Sequence, residues 1–287
     1  MRSVTVVHWN PRRRWESPPA RFGRCLRRRV NNFGDLLGPL IVQRIRAAQG
    51  LGDPVHDGAV RLLTVGSIMR MAQRGDVIWG TGVNGKSIGA EYSGLHLDIR
   101  AVRGPLTRDV MERSGYRVPR VFGDPGLLVG SLWSRPELAA GRKGSDVLVV
   151  PNLNDLGSFP PTPHSLDPRR QISEVLGRIA ASHFVLGSSL HAIVVAESLG
   201  IPARLVSSTV EPAFKYADYY AGTGRPDFTA AATVAEAIRL GGERPPVWDK
   251  DALLGAFPSD LWRAASPARS APTQSTERLY AREMAQE

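Results

Sequence analysis

The stretch GSSLHAIVVAESLG, residues 187–200, predicts a tight turn followed by an almost wholly apolar helix. A short strand pattern precedes it at residues 183–186, and either Ser188 or Ser189 is a good N-cap for the helix. Gly200 ends the helix, because glycine favours the C-terminal cap and a proline follows two residues later. Strand, turn and buried helix together form the repeating unit of an open α/β sheet.

His191 lies in the first turn of this helix. In open α/β sheets ligands collect where strands end and helices begin, because unpaired N–H groups and the positive end of the helix dipole attract anions. A histidine at that point can donate a hydrogen bond or a proton. The alternative is that His191 only caps the helix or packs in the core, and residues elsewhere in the chain are needed to distinguish the two roles.

Strand patterns alternate with helical patterns along the chain, which is typical of a doubly wound parallel sheet. We expect a first domain over residues 1–135, a linker near 134–145, a second domain over 145–265 and a polar tail over 266–287. The predicted strands are residues 3–7, 62–65, 77–79, 99–102, 146–150, 183–186 and 203–206. The predicted helices are residues 36–48, 105–113, 169–181, 190–199, 229–240 and 250–263.

The composition bounds the class of protein. The chain has 287 residues, of which 42% are apolar, and can bury a sizeable core. Cys25 is the single cysteine, which excludes an internal disulfide and favours a reducing, cytoplasmic location. No apolar run approaches the roughly 20 residues that a bilayer span needs, and the N-terminus has a strand pattern rather than a signal-peptide pattern. We therefore expect a soluble or membrane-peripheral protein.

The net charge of +10 is concentrated near the N-terminus. Residues 1–30 hold nine arginines and one glutamate in a stretch broken by three prolines, which predicts a basic loop. Such a loop can attract an anionic membrane, a diphosphate-linked acceptor or nucleic acid, or can simply be a solvated charged face. No aromatic pair of the RNA-binding kind is visible on a strand, so nucleic acid is not an expected partner.

Six short motifs, taken together, resemble the polysaccharide pyruvyl transferase family. They are NFGD at residues 32–35, VIWGTG at 77–82, AVRGPLTR at 101–108, GDP at 123–125, the His191 helix and FKYADYY at 214–220. The resemblance implies two Rossmann-like domains in a glycosyltransferase-B-like arrangement. It also implies phosphoenolpyruvate as donor, a sugar diol as acceptor, which can be lipid-linked, and a pyruvate ketal as product.

The glycine motif GTGVNG, residues 80–85, fits the dinucleotide pattern G-x-G-x-x-G. A dinucleotide site also needs a helix that starts inside the motif and an acidic residue at the end of the next strand, and neither is present. We therefore interpret the loop around Gly82 as backbone that can approach a ligand in a cleft, although a plain turn is the alternative. No cofactor is expected.

Three cationic or N–H donor groups are candidates for binding the anionic donor. Arg103 ends a strand beside a helix N-terminus and offers a planar fork for a carboxylate or phosphate. The alternative for Arg103 is a salt bridge to a carboxylate such as Asp124. Lys215 is a second candidate, and the turn Ser188, Ser189 and Leu190 before His191 is the third.

Ketal formation needs an acid that protonates the donor's methylene carbon and a base for the sugar hydroxyl. His191 is the candidate acid or phosphate ligand. Asp35, in the turn before the first helix, is the candidate base, with helix capping as the alternative. Asn32 and Gly34 of the same turn are candidate substrate-binding residues. The chain departs from the family pattern at Ser189, where many members have arginine, and at Asn152, where a histidine often stands.

Other classes of function remain open at this point. A nucleotide-sugar glycosyltransferase of similar fold is the first alternative, and a noncatalytic binding protein that uses the basic loop is the second. The Cys and His spacing does not suggest zinc, and the carboxylates show no two-metal pattern, so no metal is expected.

Overall fold

The computed structural model describes residues 2–11, 29–55, 58–159 and 162–264. The arginines at positions 12–28 and the predicted tail lie outside these residues. The strands are β1 Ser3–Val7, β2 Leu51–Pro54, β3 Ala59–Leu63, β4 Val77–Trp79, β5 Asp98–Ala101, β6 Ser145–Val149, β7 Ser182–Gly187, β8 Ala203–Leu205 and β9 Trp262–Ala264. The helices are α1 Phe33–Ala48, α2 Pro105–Arg113, α3 Val129–Leu132, α4 Arg135–Ala139, α5 Ile172–Ala180, α6 Leu190–Ser198, α7 Phe214–Gly222, α8 Val234–Leu240 and α9 Lys250–Gly255.

Seven of these strands form two parallel sheets, which confirms the predicted α/β class, and β2 and β9 form a separate antiparallel pair. The first sheet has the order β1-β3-β4-β5, and the second has the order β6-β7-β8. Among the described strands the order in each sheet follows the chain without a reversal. The reversal that defines a doubly wound sheet is therefore not seen in this part of the protein.

Both sheets share one hydrophobic core. Buried Leu62 and Trp79 of the first sheet belong to the same cluster as Leu148 and Val185 of the second. Helix α6 lies inside this cluster, and its residues 192–196 are completely buried. The almost wholly apolar sequence of α6 follows from this position, since a helix covered on every side has no polar face.

The C-terminal described segment returns to the first sheet. Trp79 donates its indole N–H to the Leu253 carbonyl at 2.9 Å, and its ring meets Phe257 edge to face with centroids 5.0 Å apart. The predicted helix over residues 250–263 is wrong in its second half, because α9 ends at Gly255 and β9 pairs antiparallel with β2.

Within the described ranges, none of the helices is both long and apolar enough to cross a membrane. The same residues contain no group of three or more His, Cys, Asp or Glu side chains placed to hold a metal ion.

Candidate functional site

A cleft of about 410 Å³ opens where the parallel strands of both sheets end. Residues that follow β1, β3, β4, β6 and β7 all line it, as expected for a ligand site at the carboxyl edge of parallel sheets. Six of the ten predicted site residues are among the lining residues: Asn32, Asp35, Ser189, Leu190, His191 and Lys215. The structure therefore brings together predicted residues from the N-terminal turns of α1, α6 and α7.

His191 faces a buried carboxylate. Its Nε2 lies 3.6 Å from Oδ2 of Asp124, whose side chain is completely buried, while the histidine side chain retains 13% exposure. Both of these atoms are buried, and neither has a hydrogen-bond partner among the described residues. The other oxygen of Asp124 accepts a hydrogen bond from the Gly126 N–H at 2.9 Å, which fixes the carboxylate. Asp124 was not predicted as a site residue, although the GDP motif carried the signal.

Gly34 makes room for the His191 ring, and Gly66 lies next to both predicted catalytic side chains. A Cβ on Gly34 would stand 2.3 Å from Nδ1 of His191, which is too close for any side chain at position 34 unless the ring moves. Gly66 has φ of +103°, and a Cβ there would lie 3.8 Å from Oδ1 of Asp35 and 4.0 Å from Cε1 of His191. Asp35 and His191 therefore both lie close to Gly66.

Asp35 is partly buried in the first turn of α1. Its Oδ2 accepts a hydrogen bond from the side-chain amide of Asn32 at 2.7 Å. Burial raises the pKa of Asp35 above its usual 3.8, against the lowering effects of the Asn32 hydrogen bond and of the His191 and Lys215 charges. The N-cap of α1 is Asn32, so Asp35 does not cap this helix.

The turn before α6 is held from both sides. Ser189 is the N-cap of α6, and its side chain makes no capping hydrogen bond to the helix. Ser188 is completely buried. Its Oγ accepts a hydrogen bond from the Asn152 N–H at 2.9 Å, and its carbonyl oxygen accepts one from the Tyr216 hydroxyl at 2.8 Å. Ser188 therefore fixes the turn behind the cleft wall, while Ser189 and Leu190 face the cleft.

Arg103 lies behind the cleft wall and is completely buried. Its Nε pairs with Asp218 at 2.9 Å, and its two terminal nitrogens donate to the Ser67 hydroxyl at 2.6 Å and the Val83 carbonyl at 2.8 Å. Arg103 thus forms a salt bridge, the alternative considered for it, but with Asp218 rather than Asp124, and Ser67 is the contact that separates Arg103 from the cleft. A Cβ on Gly82 would stand 2.3 Å from the guanidinium carbon, so Gly82 gives Arg103 its space.

Glu211, which also lines the cleft, was missed in the sequence. Glu211 accepts hydrogen bonds from Lys86 at 2.8 Å, Asn154 at 2.8 Å and Lys215 at 3.1 Å. Burial acts to raise the pKa of Glu211, but the Lys86 hydrogen bond and the Lys215 charge outweigh it and hold this pKa at about 2. Burial lowers the pKa of Lys215, and the charge of Glu211 opposes that change.

The sequence model of the polysaccharide pyruvyl transferase family matches residues 57–209, just over half of the chain. The chain therefore belongs to this family, which confirms the resemblance. The matched region includes Asp124 and His191, whereas Asp35, Glu211 and Lys215 lie outside it.

Two individual proteins show lesser similarity. The succinoglycan biosynthesis protein ExoV of Rhizobium meliloti (strain 1021) is 29% identical over 155 residues, which are 50% of this chain and 47% of that protein. The chain thus spans about half the length of this curated relative. A crystal structure of an uncharacterized protein from Klebsiella pneumoniae subsp. pneumoniae NTUH-K2044 aligns with a TM-score of 0.41 and 11% identity, over 66% of this chain and 83% of that one.

Proposed function

We propose that this protein transfers the pyruvyl group of phosphoenolpyruvate to a sugar diol of a polysaccharide precursor and forms a pyruvate ketal. Membership of the polysaccharide pyruvyl transferase family supports the reaction type, and similarity to a protein named for succinoglycan biosynthesis supports the substrate class. The observation that carries the proposal is the placement of Asp35 and His191 next to Gly66 in a cleft that Lys86 and Lys215 also line.

The chemistry has definite requirements. The donor carries a phosphate and a carboxylate on an enol carbon. One sugar hydroxyl adds to that carbon while the neighbouring methylene takes up a proton, and the second hydroxyl then displaces phosphate to close the ketal. Donors that hold the anionic ends, one acid and one base must therefore surround the reacting carbons.

We assign the acid role to His191, with Asp124 as the residue that positions it. The carboxylate of Asp124 faces Nε2 of His191 at 3.6 Å and is the charged group next to that ring nitrogen. A backbone N–H holds this carboxylate, so the pair has a fixed geometry. The other role open to His191 is that of a phosphate ligand at the N-terminus of α6.

We assign Asp35 the role of base toward the sugar hydroxyl. Burial raises its pKa, and a carboxylate with a raised pKa is a stronger base than an exposed one. Asn32 holds one carboxylate oxygen at 2.7 Å and leaves the other for the acceptor.

The donor's anionic groups would bind to the unpaired N–H groups at the start of α6 and to Lys86, Lys215 and Arg70, all of which border the cleft. Arg103 and Gly82 would act indirectly in this arrangement, by holding Ser67 and the loop after β4 in place. Phosphoenolpyruvate serves as a substrate, and the proposal includes no cofactor or metal.

We further propose that the two sheets belong to Rossmann-like domains in a glycosyltransferase-B-like arrangement, with donor and acceptor meeting between them. The position of the cleft at the carboxyl edges of both sheets supports this proposal. A cytoplasmic location, with peripheral contact to an anionic membrane that carries a lipid-linked acceptor, would suit the single cysteine and the basic N-terminal stretch.

The test is to incubate the purified protein with phosphoenolpyruvate and a panel of lipid-linked and synthetic glycosides in deuterated water. The expected result is release of phosphate, a sugar product with the mass of a pyruvate ketal, and deuterium in the ketal methyl group. A calorimetric titration with phosphoenolpyruvate tests the donor independently of the acceptor. Saturable binding of a nucleoside diphosphate sugar without binding of phosphoenolpyruvate would instead favour a glycosyltransferase.

A further inference from the structure

Glu211 is a buried carboxylate that the proposed reaction does not use. It lies in the loop before α7, and its side chain is only 4% exposed. Its Oε1 accepts from Lys86 and from the Asn154 amide, both at 2.8 Å, and its Oε2 accepts from Lys215 at 3.1 Å. One carboxylate therefore joins three cleft-lining side chains.

These three side chains come from segments that are far apart in sequence. Lys86 lies in the turn Gly85–Ser87 after the first sheet's β4, Asn154 in the turn Leu153–Asp155 after β6, and Lys215 in the first turn of α7. The loop that carries Glu211 also touches the loop that carries Lys86, since a Cβ on Gly85 would stand 2.5 Å from Pro212. Glu211 thus fixes cations from both halves of the chain at one place.

Glu211 is itself held rigidly. Its backbone N–H donates to the Ser208 hydroxyl at 2.8 Å, and that hydroxyl donates to the completely buried Asp155 at 2.6 Å. With a pKa of about 2, Glu211 stays ionised across the working pH range of proteins. Its two lysine partners therefore always face a fixed negative charge.

Each lysine keeps donors for a ligand. An ammonium group has three N–H donors, and Lys86 and Lys215 each use one on Glu211. The two lysines and Glu211 together retain one net positive charge. Lysine side chains are flexible, and fixing them before binding removes an entropic cost that the ligand interaction would otherwise have to overcome.

We infer that Glu211 is a positioning residue that holds Lys86 and Lys215 as a two-lysine cradle for the anionic donor. This inference rests on the proposed function, since it names part of the donor site of that reaction. A positioning role and a purely electrostatic role of Glu211 predict opposite changes in donor affinity when the carboxylate is removed. A carboxylate that only added negative charge would repel the donor, so its removal would strengthen donor binding.

Two substitutions separate these cases. Glu211→Asp keeps the charge but is one methylene shorter and cannot reach both lysines, and Glu211→Gln keeps the length but loses the charge. We expect each variant to bind phosphoenolpyruvate about tenfold more weakly in calorimetric titration, the order expected for a misplaced charge-assisted hydrogen bond. The same loss should appear in KM, with kcat changed much less. In a Lys86→Met background the effect of Glu211→Asp should shrink, because part of the cradle is already gone.

The matched control is Glu243→Gln, because Glu243 is also mostly buried and paired with an arginine, Arg204, but does not line the cleft. It should leave donor affinity unchanged. Tighter binding by Glu211→Gln, unchanged binding by Glu211→Asp, or full additivity with Lys86→Met would each overturn the positioning role while leaving the proposed reaction intact. Absence of saturable phosphoenolpyruvate binding by the wild-type protein would overturn both.

Discussion

At the scale of single residues, His191 has two possible roles, and its replacement by asparagine separates them. Asparagine keeps some hydrogen-bonding capacity but cannot deliver a proton. If His191 is the acid, turnover should fall by roughly 10² to 10⁴, the usual contribution of a general acid, with donor affinity nearly kept. If His191 only binds the phosphate, donor affinity measured by calorimetry should fall more than turnover. His164→Asn, at an exposed position, is the control that should change neither quantity.

Gly34 allows a sharper geometric test. Glycine to alanine inside a helix normally stabilises the helix by about 0.5 to 1 kcal/mol. In α1, however, the new Cβ would stand 2.3 Å from the His191 ring and would displace it. We expect Gly34→Ala to reduce turnover at least tenfold by the loss of near-attack geometry, while the protein stays folded by circular dichroism.

The control for Gly34 is Gly255→Ala in α9, where no heavy atom lies within 4 Å of the added Cβ. That variant should keep wild-type turnover. Wild-type turnover in Gly34→Ala as well would show that the position of the His191 ring does not matter for the reaction.

Asp35 should reduce stability at neutral pH. Its pKa in the folded protein lies above the usual 3.8, so its stabilising contribution is present below pH 3.8 and is lost as pH rises through the folded value. Asp35→Asn should therefore raise the urea midpoint at pH 7, and this advantage should vanish as pH falls toward 3.8. Glu211→Gln should act in the opposite direction at pH 7, because the pKa of Glu211 is lowered to about 2. A lower urea midpoint for Asp35→Asn at pH 7 would contradict the raised pKa.

The residues that sequence reasoning placed in the cleft are those next to a predicted strand end or helix start, such as Asp35 and His191. Asp124 and Glu211 were missed as site residues because their importance comes from contacts with residues distant in sequence. For the same reason the salt-bridge partner of Arg103 could not be named from the sequence, since Asp218 lies 115 positions away and nothing local marks it.

At the scale of elements, the predicted bounds match the structure where the local signals are strong. Strand β4 and helix α2 have the predicted limits, because an apolar run defines the first and a proline at the start with a glycine after the end defines the second. Strands β2 and β9 could not be predicted, since Leu51–Pro54 has no alternating pattern and its antiparallel partner lies about 210 residues away. The predicted helix over residues 250–263 ends at Gly255, because Pro258 cannot continue a helix and residues 262–264 pair with β2.

The return of the C-terminal segment to the first sheet predicts a large effect at Phe257. Its ring packs edge to face on Trp79 and is stacked at 5.6 Å on Trp262, and it is 3% exposed. Phe257→Ala should lower the free energy of unfolding by about 3 to 5 kcal/mol, the range for a buried phenylalanine. Urea denaturation followed by tryptophan fluorescence measures this change. Val247→Ala, at a side chain 74% exposed, should change it little, and an equally small effect at Phe257 would mean that the segment does not anchor to the sheet.

At the scale of the whole molecule, the two halves are joined by buried polar contacts as well as by the common core. Asp218 in α7 accepts from Arg103 at the end of the first sheet and from both the backbone N–H and the hydroxyl of Thr107 in α2. The start of α2 packs closely against α7 there, since a Cβ on Gly104 would stand 1.9 Å from the Asp218 carbonyl oxygen. A change at this junction should therefore affect the unfolding of the entire described fold.

Arg103→Met tests this coupling, because it leaves the completely buried carboxylate of Asp218 without its counter-charge. Removal of one partner of a buried ion pair costs about 3 to 5 kcal/mol, so the urea midpoint should fall strongly. Circular dichroism and tryptophan fluorescence should still report one coincident transition, because both sheets share a core.

Adding Asp218→Asn to Arg103→Met should recover part of the loss, since the uncompensated charge is then gone. Arg239→Met, at an exposed pair, should cost no more than about 1 kcal/mol. Two separate transitions in Arg103→Met, or a cost as small as that of Arg239→Met, would show that the halves are held together elsewhere.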